Sequence, residues 1–427
     1  MWARKRIDIG FMDLMFAFWR CISTPARKVS APSLASMPAT QKCLVCLSVR
    51  SGFDLLLSSQ DWPKDSEIIF TGLTIPDMPR IARQHGFRPV GVDLDISKLE
   101  PAMDEIQRLV TPQTKAIVIA HLMGGRVPTT EIARIAKQQN LFLIEDFAQS
   151  YRGQLFSSGD ASMFSFGTIK TNTALGGAIM FIADPKLRER MINRHNQWPQ
   201  QSTIRYAKRI LKYSLVKLIS TRLSASIIRR TCWFLPSQHD SIAAGMAKSF
   251  SGGDFFKKIR HRPSTPLSRT LALRISNFRP QTIDCRIRRG KLLLETIREK
   301  NPRIKILGDE IEQATFWIFG ILVQNPRKLT EILWQHGFDA TRQSSLQAVQ
   351  SLGDEKLPLS EVQAHPVPSG KTTQQNQTEL PNIDFILSHL VFLPVDLPIP
   401  ESEIVRMGEL VARHAIPTSL VLDEFSR

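Results

Sequence analysis

Short apolar runs alternate with helical stretches between about residues 41 and 183, and this alternation constrains the fold more than any other feature. The apolar runs are typical of buried strands, and the stretches between them carry apolar residues at helical spacing. The runs are CLVCLSV, SEIIFTG, RPVGVDLD, KAIVIAHL, LFLIED, ASMFSFG and GAIMFIAD. Strands that alternate with helices predict an α/β fold, in which a mostly parallel sheet is sandwiched by helices. Since ligands bind at the carboxyl ends of such strands, we expect functional residues just after strands.

The chain of 427 residues is long enough for more than one domain. Residues 1–40 are predicted to form an N-terminal helix and a linker rich in Pro, Ser and Ala. We expect residues 41–270 to form the large domain and residues 271–427 a smaller C-terminal α/β domain. A basic helical insert is predicted at about 204–265, and a mobile polar loop at about 353–382.

Positive charge is concentrated in one part of the chain. Residues 205–291 contain twenty Lys or Arg and three acids, which accounts for the whole net charge of +17. Apolar residues recur at helical spacing among these cations, so the pattern predicts a basic amphipathic helix. We expect a solvated helix or a peripheral contact with an anionic membrane surface, since Trp233 and Phe234 follow the helix. Because the sequence contains no recognition motif for nucleic acid, we expect no nucleic-acid partner.

The cysteines and the start of the chain bear on its compartment. Five cysteines are too few and too scattered for a disulfide framework, which favours the reducing cytoplasm. Cys43 and Cys46 have redox spacing but are interpreted as buried strand residues, and no metal site is predicted. The start of the chain resembles a signal peptide, but Asp8 and Asp13 interrupt its apolar part, which favours a packed helix. No apolar window is long enough to predict a membrane-spanning helix.

An acid and an amine follow neighbouring strands of the predicted sheet. Asp146 ends the run LFLIED, and Lys170 lies 24 residues later, after the run ASMFSFG. An isolated acid here is typical of a helix cap or a loop, but the pairing with lysine suits pyridoxal phosphate (PLP). The primary amine of a lysine forms a Schiff base with an aldehyde, and an aspartate keeps a pyridine nitrogen protonated.

Small residues around the lysine favour a phosphate group and a close turn. Ser165 and Thr168 offer hydroxyl groups, and Gly176 and Gly177 allow the backbone to turn tightly. Further upstream, the Ser51-Gly52 pair stands between a predicted strand and an apolar helix. A helix N-terminus after such a turn is suited to bind phosphate, although many strand-to-helix turns share this pattern.

Three segments resemble one known family: SGFDLLL, IAHLMGGRVPTTEIARIAKQQNLFLIEDFAQSYRG and GDASMFSFGTIKTNTALGGAIMF. They are similar to the PLP-dependent sugar aminotransferases of the DegT/DnrJ/StrS type. The resemblance covers about residues 45–200 and, more loosely, FLPVDLPIPESEI near the C-terminus. It implies the PLP-dependent transferase fold of type I and a homodimer. The implied reaction transfers an amino group from an amino acid, such as glutamate, to a keto group of a nucleotide-linked sugar in polysaccharide or antibiotic-type biosynthesis.

The resemblance also implies roles for individual residues. Lys170 resembles the Schiff-base lysine, Asp146 the partner of the pyridine nitrogen, and Gln149 the contact of the ring hydroxyl. His121 falls at a strand end and is interpreted either as a wall of the site or as a core histidine. The segment 277–279 (Asn-Phe-Arg) resembles the element that reaches the partner subunit's site in this family.

The cofactor contacts implied by the resemblance depart from the family pattern at two positions. Ser165 and the amides of Gly52 and Phe53 correspond to the phosphate contacts. Phe53 stands where the family has threonine, which removes a hydroxyl group. Ile75 follows Thr74 where an aromatic ring would stack on the cofactor.

Two alternatives to a sugar aminotransferase remain open. The changes at 53 and 75 and the basic insert would suit a PLP enzyme that acts on a non-sugar substrate. The basic segment would also suit a catalytically inactive regulatory or membrane-associated homologue. The presence of Lys170, Asp146 and Gln149 together opposes the second alternative.

Overall fold

The structure is a computed structural model that describes residues 2, 7–23, 42–156, 158–219, 254–342, 345–349, 379–396 and 399–418. Three predicted features therefore lie wholly or mostly outside the described residues. They are the N-terminal linker, the part of the basic insert that contains Trp233 and Phe234, and the polar loop at 353–382.

The first half of the chain alternates strands and helices. Its elements are α1 (Phe11–Ser23), β1 (Cys43–Cys46), α2 (Val49–Ser58), β2 (Glu67–Thr71), β3 (Leu73–Thr74), α3 (Asp77–Gln84), β4 (Arg88–Val92), α4 (Met103–Leu109), β5 (Thr114–Ala120), α5 (Thr130–Gln138), β6 (Phe142–Asp146), β7 (Ala161–Ser165) and β8 (Ala178–Ile182). The second half is richer in helix. Its elements are α6 (Pro185–Asn196), α7 (Thr203–Ile219), α8 (Phe255–Ile259), α9 (Thr265–Ser276), α10 (Gln281–Lys300), β9 (Lys305–Ile306), β10 (Phe319–Leu322), α11 (Pro326–Gln335), β11 (Gln347–Ala348), α12 (Pro381–His389), β12 (Leu390–Leu393) and α13 (Glu401–His414).

The main sheet contains seven strands in the order β1-β8-β7-β6-β5-β2-β4. All of its strands point the same way except β8, which is antiparallel to both of its neighbours. Helices α2, α3 and α6 pack on one face, and α4, α5, α7 and α9 pack on the other. The predicted α/β fold is therefore confirmed: a mostly parallel sheet lies between two layers of helices.

The pleat of the strands explains why the sequence shows continuous apolar runs. Val118 and Ile144 point to the face that α2 covers, while Ile117, Ile119 and Leu143 point to the face that α4 and α5 cover. A strand that is buried on both faces has no polar side to produce an alternating pattern.

Helix α2 lies unusually close to the main sheet. Its N-cap is Ser48, whose Oγ accepts a hydrogen bond from the Ser51 N–H at 3.1 Å. A Cβ atom at Gly52 would stand 2.3 Å from Sδ of Met180 in β8, so only glycine permits this approach. The glycine thus sets the distance between the helix and the reversed strand.

A smaller antiparallel sheet has the order β12-β10-β9. Its core is shared with α10, α11 and α13. The two-residue strand β11 pairs with β3, so the C-terminal part of the chain touches the segment that follows β2. The domain boundaries expected from the sequence remain a prediction.

Helix α1 packs on α7 and α9. Arg274 of α9 ties it down, because its Nη1 contacts the Asp13 carboxylate at 2.7 Å and its Nη2 donates to the Asp8 carbonyl at 2.7 Å. The leader-like start of the sequence is therefore a packed helix in this structure.

Candidate active site

Asp146 is the last residue of β6 and stands at the carboxyl edge of the main sheet. Its Oδ1 accepts the Ala148 N–H at 2.9 Å. Desolvation raises the pKa of Asp146, although the Ala148 N–H and the charges of Lys170, His121 and Arg50 act in the opposite direction. Because burial penalises the ionised carboxylate, a cationic partner beside Asp146 would stabilise the charged form.

Lys170 lies in the turn that follows the neighbouring strand β7. Its Nζ stands 4.3 Å from the ring centroid of Trp317, which is 4% exposed. Because β7 pairs with β6 at Asp146, the predicted acid and amine lie at the same edge of the sheet. The indole face holds the amine by a cation–π contact.

Gln149 and Ser165 stand at the same edge of the sheet. The Gln149 side chain accepts the Met123 N–H at 2.9 Å through Oε1. Ser165 ends β7, and a Cβ atom placed at Gly167 would lie 3.6 Å from Ser165 Oγ and 3.8 Å from Lys170 Cγ. The serine hydroxyl and the lysine stem therefore flank one glycine, where a larger residue would fill the space between them.

The start of α2 reaches this edge as well, since the charge of Arg50 acts on Asp146. The first four N–H groups of a helix have no acceptor within the helix, and here they belong to residues 48–51. The amide of Gly52 donates to the Ser48 carbonyl at 3.0 Å, and the Phe53 side chain is fully buried against Phe70. The contacts of Gly52 and Phe53 are thus helical hydrogen bonding and core packing.

The residues around Thr74 also have core contacts. Thr74 is buried and pairs with Gln347 between β3 and β11. Ile75 packs between two apolar clusters, one beneath α2 and the other beside β12. Gly177 has φ +84°, and its amide donates to the Leu47 carbonyl at 3.0 Å, so the expected close turn is present.

His121 and Glu145 lie on the opposite face of the sheet from Asp146. Nδ1 of His121 accepts the Val127 N–H at 3.0 Å, which leaves the proton of the neutral ring on Nε2, 3.4 Å from Glu145 Oε1. Desolvation lowers the pKa of His121 despite the nearby carboxylate. The ring also stacks on Phe147 at 4.0 Å between centroids. These contacts support the interpretation of His121 as a core histidine.

The sequence did not predict a group of residues, distant along the chain, that contacts the turn containing Lys170. Buried Arg286 donates through Nε to the Thr315 carbonyl at 2.8 Å and contacts Thr171 Oγ1 at 3.4 Å. Thr315 in turn donates from its amide and its hydroxyl to the Gly124 carbonyl, each at 2.9 Å. Gly124 has φ +93°, and a Cβ there would stand 2.4 Å from the Thr315 hydroxyl. The only sequence signal was the glycine pair in HLMGG.

The segment 277–279 borders a cleft of about 340 Å3 beside the lysine turn. Thr171 and Asn172 form part of the same lining. Asn172 is held from the N-terminal segment, because its amide donates to Asp8 Oδ2 at 2.6 Å. The start of the chain thus contacts the turn two residues after Lys170.

The cysteines and acids offer no second type of site within the described ranges. Burial raises the pKa of Cys43 to about 11 and that of Cys46 to about 12, so both thiols are inert residues of β1. No cluster of three potential metal ligands occurs in the part of the chain that the structure covers. No helix there is long and apolar enough to cross a membrane.

Comparison with known proteins finds one family model that matches slightly less than half of the chain. Residues 32–226 match the model of the DegT/DnrJ/EryC1/StrS aminotransferase family. Over this range the chain is similar to these aminotransferases. The resemblance recognised in the sequence is therefore confirmed, and the matched range contains every residue predicted to contact the cofactor.

Individual relatives match over shorter stretches. The chain is 34% identical over 110 residues to a dTDP-4-dehydro-2,3,6-trideoxy-D-glucose 4-aminotransferase from Saccharopolyspora spinosa, covering 25% of this chain and 29% of the relative. It is 36% identical over 125 residues to a dTDP-4-dehydro-2,6-dideoxy-D-glucose 3-dehydratase from the same organism, covering 26% and 27%. The sequence matches thus span less than a third of these relatives.

The structural likeness is much more extensive. The aminotransferase TlmJ from Streptoalloteichus hindustanus superposes with a TM-score of 0.66 over 97% of this chain and 98% of its own, at 15% identity. At this identity the likeness establishes the fold alone. The aminotransferases of this family are PLP-dependent.

Proposed function

We propose that the protein is a PLP-dependent aminotransferase that moves an amino group from glutamate to a keto group of a nucleotide-linked sugar. The observation that carries the proposal is the joint position of Lys170 and Asp146. Neighbouring strand ends deliver the amine and the acid to one edge of the sheet, within the range that matches the family. The matched relatives that act on dTDP-linked sugars support the substrate class.

The residues at this edge fit PLP. Asp146, whose carboxylate is destabilised by burial, would hold the protonated pyridine nitrogen. Gln149 accepts the Met123 N–H through its oxygen, so its NH2 group can donate to the ring hydroxyl. Ser165 would contact the phosphate, with the free amides at the start of α2 as the second donor group. The resemblance assigns this contact to the amides of Gly52 and Phe53, but the Gly52 amide already donates to the Ser48 carbonyl. When bound, PLP supplies an aldehyde and a ring that accepts electrons.

Lys170 would have two roles in this chemistry. Its Nζ would hold the cofactor at its aldehyde and would then act as the base that accepts and returns a proton during the transfer of the amino group. Trp317 restricts the amine to one side, and Arg286 fixes the turn through Thr171. The Asp146 carboxylate would accept a hydrogen bond from the protonated pyridine nitrogen and so maintain its positive charge.

The first experiment is an absorbance titration of the purified protein with PLP, followed by borohydride reduction and mass mapping of the modified lysine. We expect a yellow complex with the label on Lys170, and bleaching when glutamate is added. Lys170→Ala removes the yellow complex and the label. The exposed Lys137 of α5 provides a matched control, because Lys137→Ala leaves both unchanged.

The outcomes separate the open alternatives. A label on another lysine, or no label at all, would contradict the role of Lys170 and favour an inactive homologue. A yellow complex that glutamate does not bleach would reject glutamate as the donor. If keto sugars linked to nucleotides then fail to accept the amino group, the PLP enzyme acts on a different substrate.

The resemblance to the family also supports a homodimer. We propose that the segment 277–279 lies near the subunit contact, since it borders the cleft beside the lysine turn. Light scattering on the full chain checks the mass, with a dimer as the expected result. A monomer that still binds PLP would reject this assembly.

We also propose that the protein is cytoplasmic and makes a peripheral contact with anionic membrane surfaces. Helices α1 and α7 pack together, and each exposes apolar side chains on its outer side. These exposed side chains are Met12, Met15, Trp19, Ile22, Leu211, Leu215 and Leu218. On α7 they alternate with exposed Arg205, Lys208 and Lys212, so the apolar helix pair suits the boundary between lipid headgroups and acyl chains.

Cosedimentation with vesicles tests the apolar helix pair. We expect binding to vesicles with anionic headgroups and little binding to zwitterionic vesicles. The double variant Trp19→Ser with Leu215→Ser abolishes binding, while Ile416→Ser, at an exposed position outside the pair, leaves it intact. Equal sedimentation of all variants would reject the contact.

A further inference from the structure

Two partly buried arginines have donors without acceptors in the described part of the molecule. Nε and Nη2 of Arg126, and Nε and Nη2 of Arg152, are shielded from solvent and make no hydrogen bond there. A guanidinium group stays protonated in proteins. Because burying a cationic donor without an acceptor is unfavourable, these donors are suited to bind a group with matching oxygens.

The same two nitrogen atoms are unsatisfied in both side chains. Nε and Nη2 form one edge of the guanidinium plane, and this edge binds a carboxylate or phosphate with two parallel hydrogen bonds. The molecule contains a filled example, in which Nε and Nη2 of Arg260 donate to the two oxygens of Asp54, both at 2.9 Å. Two such edges without acceptors indicate an oxyanion with several oxygen atoms.

Other contacts hold both arginines in position. The Arg126 guanidinium lies 4.7 Å from the ring centroid of Phe156 and 5.7 Å from that of Phe147. Arg152 donates through Nη1 to Gln313 Oε1 at 3.2 Å. Their positions are therefore determined by the fold, while the Nε–Nη2 edges remain available for a ligand.

The local charges are unbalanced in favour of the cations. Desolvation and the charges of Arg126 and Arg286 lower the pKa of Arg152 to about 10. Glu145 is the acid whose charge acts on Arg126, but its Oε2 already accepts the amides of Ser158 and Gly159 at 2.7 and 3.1 Å. Its Oε1 accepts the Thr129 hydroxyl at 3.2 Å. The neighbouring acid is thus occupied by other donors.

We propose that Arg126 and Arg152 form a binding site for a small oxyanion of the phosphate class. Both arginines adjoin the segment 313–315, because Gln313 accepts from Arg152 and Thr315 donates to the Gly124 carbonyl, two residues before Arg126. The same segment leads to the lysine turn, since Arg286 donates to the Thr315 carbonyl and contacts Thr171. It is separate from Ser165 and the start of α2, the groups assigned above to the phosphate of PLP. The inference stands on the arginines and does not require the proposed reaction.

Calorimetric titration of the full chain with inorganic phosphate and with pyrophosphate, at constant ionic strength, tests the site. We expect saturable binding that weakens at least tenfold in Arg126→Gln and in Arg152→Gln. Arg134→Gln provides the matched control, since Arg134 lies exposed on α5 and is paired with Glu131. Its affinity for phosphate should equal that of the unaltered protein.

Two further measurements keep the test decisive. Ser165→Ala retains phosphate binding if the arginines form the site; loss in this variant alone would place the ion in the proposed cofactor site and overturn the inference. Without phosphate, Arg126→Gln and Arg152→Gln should unfold at the same temperature as the unaltered protein or higher, so reduced binding cannot be attributed to misfolding.

Three results would contradict the proposal. Phosphate binding that is absent from the unaltered protein, or equal in all variants, would exclude a specific site. A change of oligomeric state in both arginine variants, without phosphate binding in the parent, would mean that a partner subunit supplies the oxygens. Failure of transamination leaves the inference standing, since binding is measured without turnover.

Discussion

Arg260 and the pair Arg126 and Arg152 present the same guanidinium edge in two different settings. At Arg260 the edge meets Asp54, which is 1% exposed and also receives His85 Nε2 at 3.0 Å. At Arg126 and Arg152 the edge meets no oxygen within the described residues. One region is stabilised by its own chain, whereas the other finds no matching oxygens among the residues that the structure describes.

The comparison shows how burial of a charge separates stability from function. In the Asp54 cluster, desolvation alone would raise the pKa of the carboxyl, but the hydrogen bonds and charges of His85 and Arg260 lower it overall. The cluster connects α2, the end of α3 and the residue after α8. It therefore holds together the helices on the face of the sheet that contains Asp146.

The largest effect is expected from Asp54→Asn. This change leaves Arg260 and His85 without their carboxylate, and because Arg260 is 39% exposed we expect a loss of about 1–3 kcal/mol of unfolding free energy. Urea denaturation measures the loss, with Lys137→Ala as a control for surface changes. A loss well below about 1 kcal/mol would mean that the two regions are energetically alike.

Lowering the pH should have the next largest effect, because it should destabilise the Asp54 cluster. Since the folded pKa of Asp54 lies below the ordinary value of 3.8, its contribution to stability is present above that pH and is lost as pH falls through the folded pKa. Thermal unfolding from pH 5 downward, in about one-unit steps, should therefore show a steeper loss in the unaltered protein than in Asp54→Asn. Parallel curves would contradict the assigned role of the ion pair.

The double variant Arg126→Gln with Arg152→Gln should have a small effect of opposite sign. In phosphate-free buffer the variant loses two partly buried cations whose Nε and Nη2 atoms lack acceptors among the described residues. We therefore expect a gain of about 0–1 kcal/mol in unfolding free energy. Chemical denaturation with and without phosphate provides the measurement. A loss of stability comparable to that in Asp54→Asn would show that these arginines are structural.

The smallest effect is expected from Glu131→Gln. Glu131 pairs with Arg134 at 2.8 Å on the exposed face of α5, and such surface pairs contribute about 0–1 kcal/mol. Denaturation at low and at high salt should give nearly equal stabilities for variant and parent at high salt. A large change in unfolding free energy that persists at high salt would show that exposure does not determine how much an ion pair contributes to stability.

The sequence predicted the main sheet and the edge that holds Asp146 and Lys170, because strands buried on both faces leave continuous apolar runs. It did not predict Trp317 or Arg286, which reach the lysine turn from segments more than a hundred residues away. Helical spacing carries no information about such partners. The same limit applies to Asp54, whose ion pair with Arg260 joins residues 206 positions apart.

The expected phosphate contacts show a different limit. Gly52 followed the family pattern, and the pattern suggested an amide that faces a ligand. In the structure the glycine removes a side chain that would collide with Met180, and its amide completes the first helical turn. One glycine satisfies both descriptions in a sequence, and only the packing of the helix on the sheet distinguishes them.

The contact between Asp8 and Asn172 affects how the protein can be prepared. The first ten residues look expendable, because a basic and apolar start invites removal as a leader. A protein shortened there loses the acceptor for the Asn172 amide and the carbonyl that binds Arg274. Tags are therefore better placed at the C-terminus. Poor PLP binding by a shortened protein would not show that the full chain binds PLP weakly.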